Sequence, residues 1–116
     1  MYSKNNLSIR PKMGEHAPDA MAAFQAYDRA ALADGAIPKK YKELMAIAVA
    51  LTTQCPYCIE VHRQAALKAG ASEQELAEVV HLAAALRAGG AVTHGTHLFN
   101  SCVRRRGLLS MISRSQ

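Results

Sequence analysis

PKKYKELMAIAVALTTQCPYCIEVHRQAALKAG, residues 38–70, is the stretch that decides how this chain folds. Pro38 and Pro56 each open a helix, because proline has no N–H to lose in the first turn and its φ is preset near the helical value. The spacing predicts one helix over 38–53. A second starts at Pro56 and continues through Gln64, Ala65, Ala66, Leu67 and Lys68 until Gly70 stops it. In the first helix the run Leu44 to Leu51 is apolar on nearly every face and predicts a buried element. In the second, Cys55 falls at the cap and Cys58 lies three residues on. A CxxC pair spans one helical turn, so the two sulfurs can close a disulfide. At a helix N-terminus, unpaired N–H groups and the helix dipole stabilise thiolate and lower its pKa from about 8.5. The pattern predicts a redox-active pair.

Cys58 and His62 are four residues apart and share a helix face, which gives that thiol an imidazole base. Cys58 is then the nucleophile, and Cys55 the resolving thiol that attacks a sulfenate or mixed disulfide at Cys58. The reverse assignment holds if Cys55 is the more exposed and reactive sulfur. Glu43, near the start of a buried helix, is costly unless paired or protonated. Paired with His62 it would fix the tautomer of the ring and relay protons toward Cys58, while burial would raise its own pKa. The alternative is an exposed first turn, where an acidic residue simply favours the helix dipole.

Glu43, eleven residues, Cys55-x-x-Cys58, three residues and His62 together resemble the active-site signature of the AhpD-like alkylhydroperoxidase family. The wider group includes carboxymuconolactone decarboxylases. The likeness runs over 38–96. It implies an all-α, single-domain helical bundle of about five to six helices that assembles into homo-oligomers, often trimers or hexamers. It also implies a thiol-dependent oxidoreductase that reduces peroxides or exchanges disulfides without a metal or cofactor. Cys58 would be the relay-activated thiol, Cys55 would close the disulfide, and Glu43 with His62 would form the proton relay. Relatives of the peroxidase type work beside a peroxiredoxin and draw electrons from a lipoyl-bearing protein, so such partners are implied beside a small peroxide or disulfide substrate. One position departs from that type, which carries a further histidine before the second cysteine where this chain has Tyr57. A phenol with a pKa near 10 cannot replace imidazole as a neutral-pH base. Tyr57 is expected to donate a hydrogen bond, to line the pocket or to pack between subunits.

Hydrophobic residues make up 50% of the chain, yet Trp is absent and aromatics are only 5%, so alanine supplies much of the apolar content. That suits close-packed helices with flat faces that oligomerisation can cover. β-Branched residues never alternate with polar ones over a useful run, which excludes a β-rich fold. Three cysteines are an odd number and the first residues are polar, so no secreted disulfide framework or leader is expected. The expectation is a cytoplasmic protein, where a CxxC is kept reducible. No uncharged apolar run approaches the roughly 18 residues of a membrane span, so none is expected. A formal charge of +5 raises the question of nucleic acid. Neither Arg104-Arg105-Arg106 nor the group Lys39, Lys40 and Lys42 is interleaved with aromatics, so solvated faces or contacts with acidic groups are expected and no nucleic acid.

Along the chain, residues 1–16 read as an irregular arm broken by Pro11 and Gly14. A first helix is predicted from Asp19 to Asp34. Ser72 caps another, with Glu75 completing a capping box, and Gly89-Gly90 ends it. A last helix runs from Ala91 to about Arg105, and 107–116 carries no assigned element. All of it, 1–116, belongs to one domain with its motif region at 38–96. His81 is a weaker pocket residue, with a core or interface histidine as the alternative. His94 and His97 share a face, Cys102 has no partner at useful spacing, and His16 lies in the arm. Two other functions stay open. One is a lactone decarboxylase that needs neither cysteine; the other is a zinc module using Cys55, Cys58 and His62 with His81, His94 or Glu43.

Overall fold

The computed structural model describes residues 2–100. A 3-10 helix over Lys4–Ile9 leads into α1 (Arg10–His16), α2 (Pro18–Leu32), α3 (Lys39–Thr53), α4 (Pro56–Lys68) and α5 (Glu73–His94), and a second 3-10 helix follows over Gly95–Phe99. The all-α class expected from the sequence is thus observed, with five α-helices and no strand among the described residues. The chain divides into two compact units, 1–83 and 84–116, with the boundary inside α5.

The first unit is organised by α3 and α4, which pack on each other more extensively than any other pair of helices. Gln54 makes the turn between them. It sits in the left-handed region at φ 57°, ψ 45°, and the N–H of Cys55 then reaches back to Ala50 O at 3.0 Å. A side chain in that region costs on the order of 1–2 kcal/mol, which helix packing on both sides offsets. Leu44 and Ile47 of α3, Ala66 of α4 and Ala71 form the core, and Leu51, Leu76 and Val79 pack against it. Ala66 is fully buried because its single methyl lets the helices approach. α4 ends at Gly70, whose φ of +96° turns the chain away. Ser72 and Glu75 then exchange hydrogen bonds at 3.1 Å each, the predicted capping box at the start of α5.

Three expectations need correction. The arm is not irregular: Pro11 lies in the first turn of α1, where it starts the helix rather than breaking it. Gly14 is inside that helix, and a Cβ there would approach Met21 Cγ to 3.2 Å, so its role is close packing on α2. Gly89 and Gly90 do not end α5, because glycine stops a helix only when it turns left-handed, and Gly70 is the one glycine that does so among the described residues. Residues 91–94 therefore complete α5, and the predicted continuation to Arg105 runs beyond the described residues. α3 is only partly buried: Leu44, Ile47 and Ala50 face the core, while Met45 and Val49 are 50% and 60% exposed. The stretch Glu73–Phe99 holds an 18-residue window with a mean hydropathy of 1.2, which passes for a membrane span by length and composition only, although it is not free of charge. The reason is that Glu78 and Arg87 are the only Asp, Glu, Lys or Arg residues it carries after Glu75.

Candidate active site

The site starts at the cap of α4. Cys55 has an extended backbone, φ −96° and ψ 97°, and its sulfur accepts the N–H of Cys58 at 3.3 Å, with Pro56 in the first turn. Both thiols are free and half-buried. They are not equivalent. The Cys58 thiol and amide both donate to the Cys55 sulfur and hold it below the ordinary 9.0; burial opposes them, and the Tyr57 amide adds to them. Cys58 is pushed up to about 11 by its hydrogen bond to Cys55, by burial and by the Cys55 charge, against a smaller pull from the Arg10 cation. The more acidic sulfur is therefore Cys55. The sequence predicts the relay-activated thiolate at Cys58, and the difference arises because a sulfur at the cap faces backbone N–H groups that a sulfur one turn later does not.

His62 follows one turn after Cys58. Its Nδ1 lies 2.6 Å from Oε2 of Glu43, which reaches across from α3, and Oε1 of the same carboxylate accepts from Lys39 Nζ at 3.0 Å. Glu43 is only 2% exposed, so the buried alternative holds and the exposed helix start does not. Burial pushes its carboxyl up, but the hydrogen bonds from His62 and Lys39, with their charges, outweigh it and hold the group below 4.5. This reverses the predicted direction, because Lys39, one helical turn earlier, supplies a cation that desolvation alone leaves out. An ionised carboxylate has no hydrogen to give, so Nδ1 carries a proton in either form of the ring, and in the neutral form Nε2 is the acceptor. Among the described residues, no hydrogen bond joins His62 to either cysteine.

Cys58 and His62 open on one cavity of about 460 Å³, together with Tyr57 and Val61 of α4. The rest of its wall was not anticipated: Asn6, Leu7, Arg10 and Met13 come from the arm and α1, Phe24 and Asp28 from α2. Cys55 does not line it. Tyr57 explains how the arm is held there. Its hydroxyl accepts from Asn6 Nδ2 at 2.8 Å and from the Ser3 N–H at 3.5 Å, and its ring meets Tyr2 edge-on with centroids 4.8 Å apart. Lys4 pairs with Glu60 at 3.1 Å. Tyr57 therefore borders the cavity and also fastens the arm to the cysteine motif by accepting hydrogen bonds. The usable sequence signal was Arg10-Pro11, a helix start within a segment rich in polar partners.

His81 is outside this cavity. Val79 and Ala83 turn inward on α5, and a residue midway between them points the other way, to the exposed side. The His94 and His97 rings are tilted at 54° to each other with centroids 5.9 Å apart. Among the described residues, no group of three or more His, Cys, Asp or Glu side chains is arranged to hold a metal ion. The proposed zinc ligand set therefore does not assemble among the described residues. Lys39, Lys40 and Lys42 bond Glu43, Glu75 and the Ala33 carbonyl, respectively. Cys102, Arg104, Arg105 and Arg106 lie outside the described residues.

An all-helical chain with a free Cys-x-x-Cys pair capping one helix, beside a histidine held by a buried carboxylate of the preceding helix, defines a helical protein with a thiol pair at its site. Residues 18–100 match the carboxymuconolactone decarboxylase family, and the chain belongs to that family. It is 46% identical over 72 residues to the uncharacterized protein 4 in the cox locus of Paracoccus denitrificans, covering 62% of this chain and 65% of that protein. It is 41% identical over 68 residues to an uncharacterized protein of Cupriavidus necator, covering 59% and 60%. The chain thus spans less than two thirds of the length of these curated relatives. A crystal structure of an apo carboxymuconolactone decarboxylase family protein from Legionella pneumophila is similar, with TM-score 0.69 and 34% identity over 80% of this chain and 83% of that one. A protein from Methanobacterium thermoautotrophicum aligns with TM-score 0.70 and 31% identity over 74% and 97%.

Proposed function

We propose that the chain is a thiol-dependent oxidoreductase of the alkylhydroperoxidase type that cycles Cys55 and Cys58 between dithiol and disulfide. The observation that carries this is the free pair at the cap of α4, with Cys58 sharing a cavity with a histidine that Glu43 holds at 2.6 Å. His62 Nε2 takes the Cys58 proton, and the thiolate attacks the terminal oxygen of a hydroperoxide. The O–O bond breaks, the alkoxide leaves as alcohol with the proton from His62, and Cys58 becomes a sulfenic acid. Cys55 gives up its proton and its sulfur attacks that of Cys58; the S–S bond forms, the S–O bond breaks, and the hydroxide leaves as water with the proton Cys55 released. Two electrons pass from the thiol pair to the peroxide, and an external dithiol reductant restores them. Toward a disulfide substrate the order of attack is reversed, because Cys55 is the more acidic sulfur.

Trapping with dimedone tests the assignment. After cumene hydroperoxide, Cys55→Ser protein is expected to carry the adduct at Cys58, and Cys58→Ser protein to form none at Cys55. An adduct at Cys55 in the second variant would move the peroxide-attacking role to that residue. If the wild-type thiols are not oxidised at all, the peroxidase reading fails. Iodoacetamide labelling against pH is expected to modify Cys55 before Cys58.

The name of the family favours a second reading, in which Glu43 and His62 transfer protons on a lactone acid and the cysteines are idle. Full activity of a Cys55→Ser/Cys58→Ser protein on such a lactone, with no peroxide turnover by the wild type, would establish it. The first reading places the protein in the cytoplasm as a homo-oligomer, a trimer or hexamer, served by a lipoyl-bearing or peroxiredoxin-type partner.

A further inference from the structure

The cavity above Cys58 has apolar walls that the thiol chemistry does not require. Leu7, Met13, Phe24 and Val61 give it apolar walls, and Arg10 and Asp28 supply the charges. Arg10 lies over the Phe24 ring at 5.5 Å, a cation–π contact that holds the guanidinium against the apolar wall. Among the described residues it makes no ion pair, although Asp28 belongs to the same lining. Arg10 lends Cys58 a modest pull toward thiolate, but peroxide reduction at Cys58 needs neither the apolar walls nor the placing of that cation on the Phe24 ring. A chamber of this size is ample for a ligand of several carbons, whose orientation a single charge would set.

We propose that this open cavity selects an amphipathic monoanion, an apolar chain ending in a carboxylate, with Arg10 binding the carboxylate and Leu7, Met13, Phe24 and Val61 lining the path of the chain. Arg10 is suited to the role because its planar guanidinium can bind a carboxylate through two parallel hydrogen bonds while its face stays on Phe24. Asp28 narrows the choice further: a dianionic head group would meet its charge, whereas a single carboxylate is balanced by Arg10. Resting on the oxidoreductase reading, the substrate class is a hydroperoxide of a medium- or long-chain carboxylic acid, positioned with its peroxide toward Cys58. Because the arm carries Leu7, Arg10 and Met13, and Tyr57 fastens the arm, Tyr57 supports the selectivity wall rather than the proton relay.

Binding of unreactive probes separates this proposal from the chemistry. Calorimetric titration of the reduced full chain with decanoate and with decanol, the neutral chain of the same length, is expected to show decanoate binding about 10-fold or more tightly. Arg10→Gln should remove that preference and leave decanol affinity unchanged, which also reports that the cavity is intact. Arg10→Lys should keep part of it, and Asp28→Asn should tighten decanoate a few-fold. Equal affinity of the wild type for decanoate and decanol would overturn the proposal without any variant. An Arg10→Gln protein that still prefers decanoate would overturn the role of Arg10. Decanoate selectivity in a protein that reduces no hydroperoxide would sink the oxidoreductase reading and leave the anion site standing. Reduction of cumene hydroperoxide without decanoate selectivity would do the reverse.

Discussion

Glu43 is the residue on which the site's electrostatics depend. It is buried, yet both of its oxygens are bonded, one to His62 and one to Lys39, so its charge is kept rather than neutralised. A carboxyl held lower in the folded chain than in the unfolded one adds stability above the unfolded pKa. That contribution is lost as pH falls through the folded pKa, below 4.5. Glu43→Gln keeps the shape and removes the charge, and at pH 7 it is expected to cost about 1–3 kcal/mol. Urea unfolding of both proteins at pH 7 and in acid tests this: the difference should shrink once Glu43 is protonated, and an unchanged difference would mean that the charge contributes nothing. The two cysteines show the same principle at shorter range. Their acidities separate because one sulfur caps the helix and the other donates to it.

At the level of helices, ends decided more than interiors. Cys55, Ser72 and Gly70 stand where their side chains or backbone freedom predict a start or a stop, since capping is a contact of a few residues. Ser72→Ala is expected to destabilise the protein by about 1 kcal/mol, because it leaves the Glu75 N–H without its acceptor. Thermal unfolding would show this, and an unaltered midpoint would mean that Lys40, bonded to Glu75 at 3.0 Å, holds α5 in place by itself. Gly89, Gly90 and Pro11 misled for one shared reason. Each is a breaker only in a particular conformation, and strong helix formers around the two glycines, or a first-turn position for the proline, cancel the effect. Gln54 is the converse case: nothing in its chemistry announces a left-handed turn, and the packing of α3 on α4 imposes it.

For the molecule as a whole, the apolar surface left in contact with water is the dominant fact. Met45 and Val49 on α3 and Leu82 and Leu86 on α5 are half exposed or more, while the buried apolar set is mostly alanine. Such surface is covered by self-association in many small helical proteins. Light scattering at micromolar concentration is expected to give a trimer or hexamer, and Val49→Lys with Leu86→Glu to lower the mass toward 12.5 kDa; a monomeric wild type would refute it. By itself the sequence determined the helical class, the thiol pair at a helix cap and the placing of His62 one turn after Cys58, because each follows from helical periodicity and from contacts a few residues long. Only the tertiary structure decided that Glu43, 19 residues from His62, is ionised against it and Lys39. It also decided that the arm, 51 residues from Tyr57, walls the cavity with Arg10. Those contacts depend on how the helices pack, which spacing along one chain does not specify.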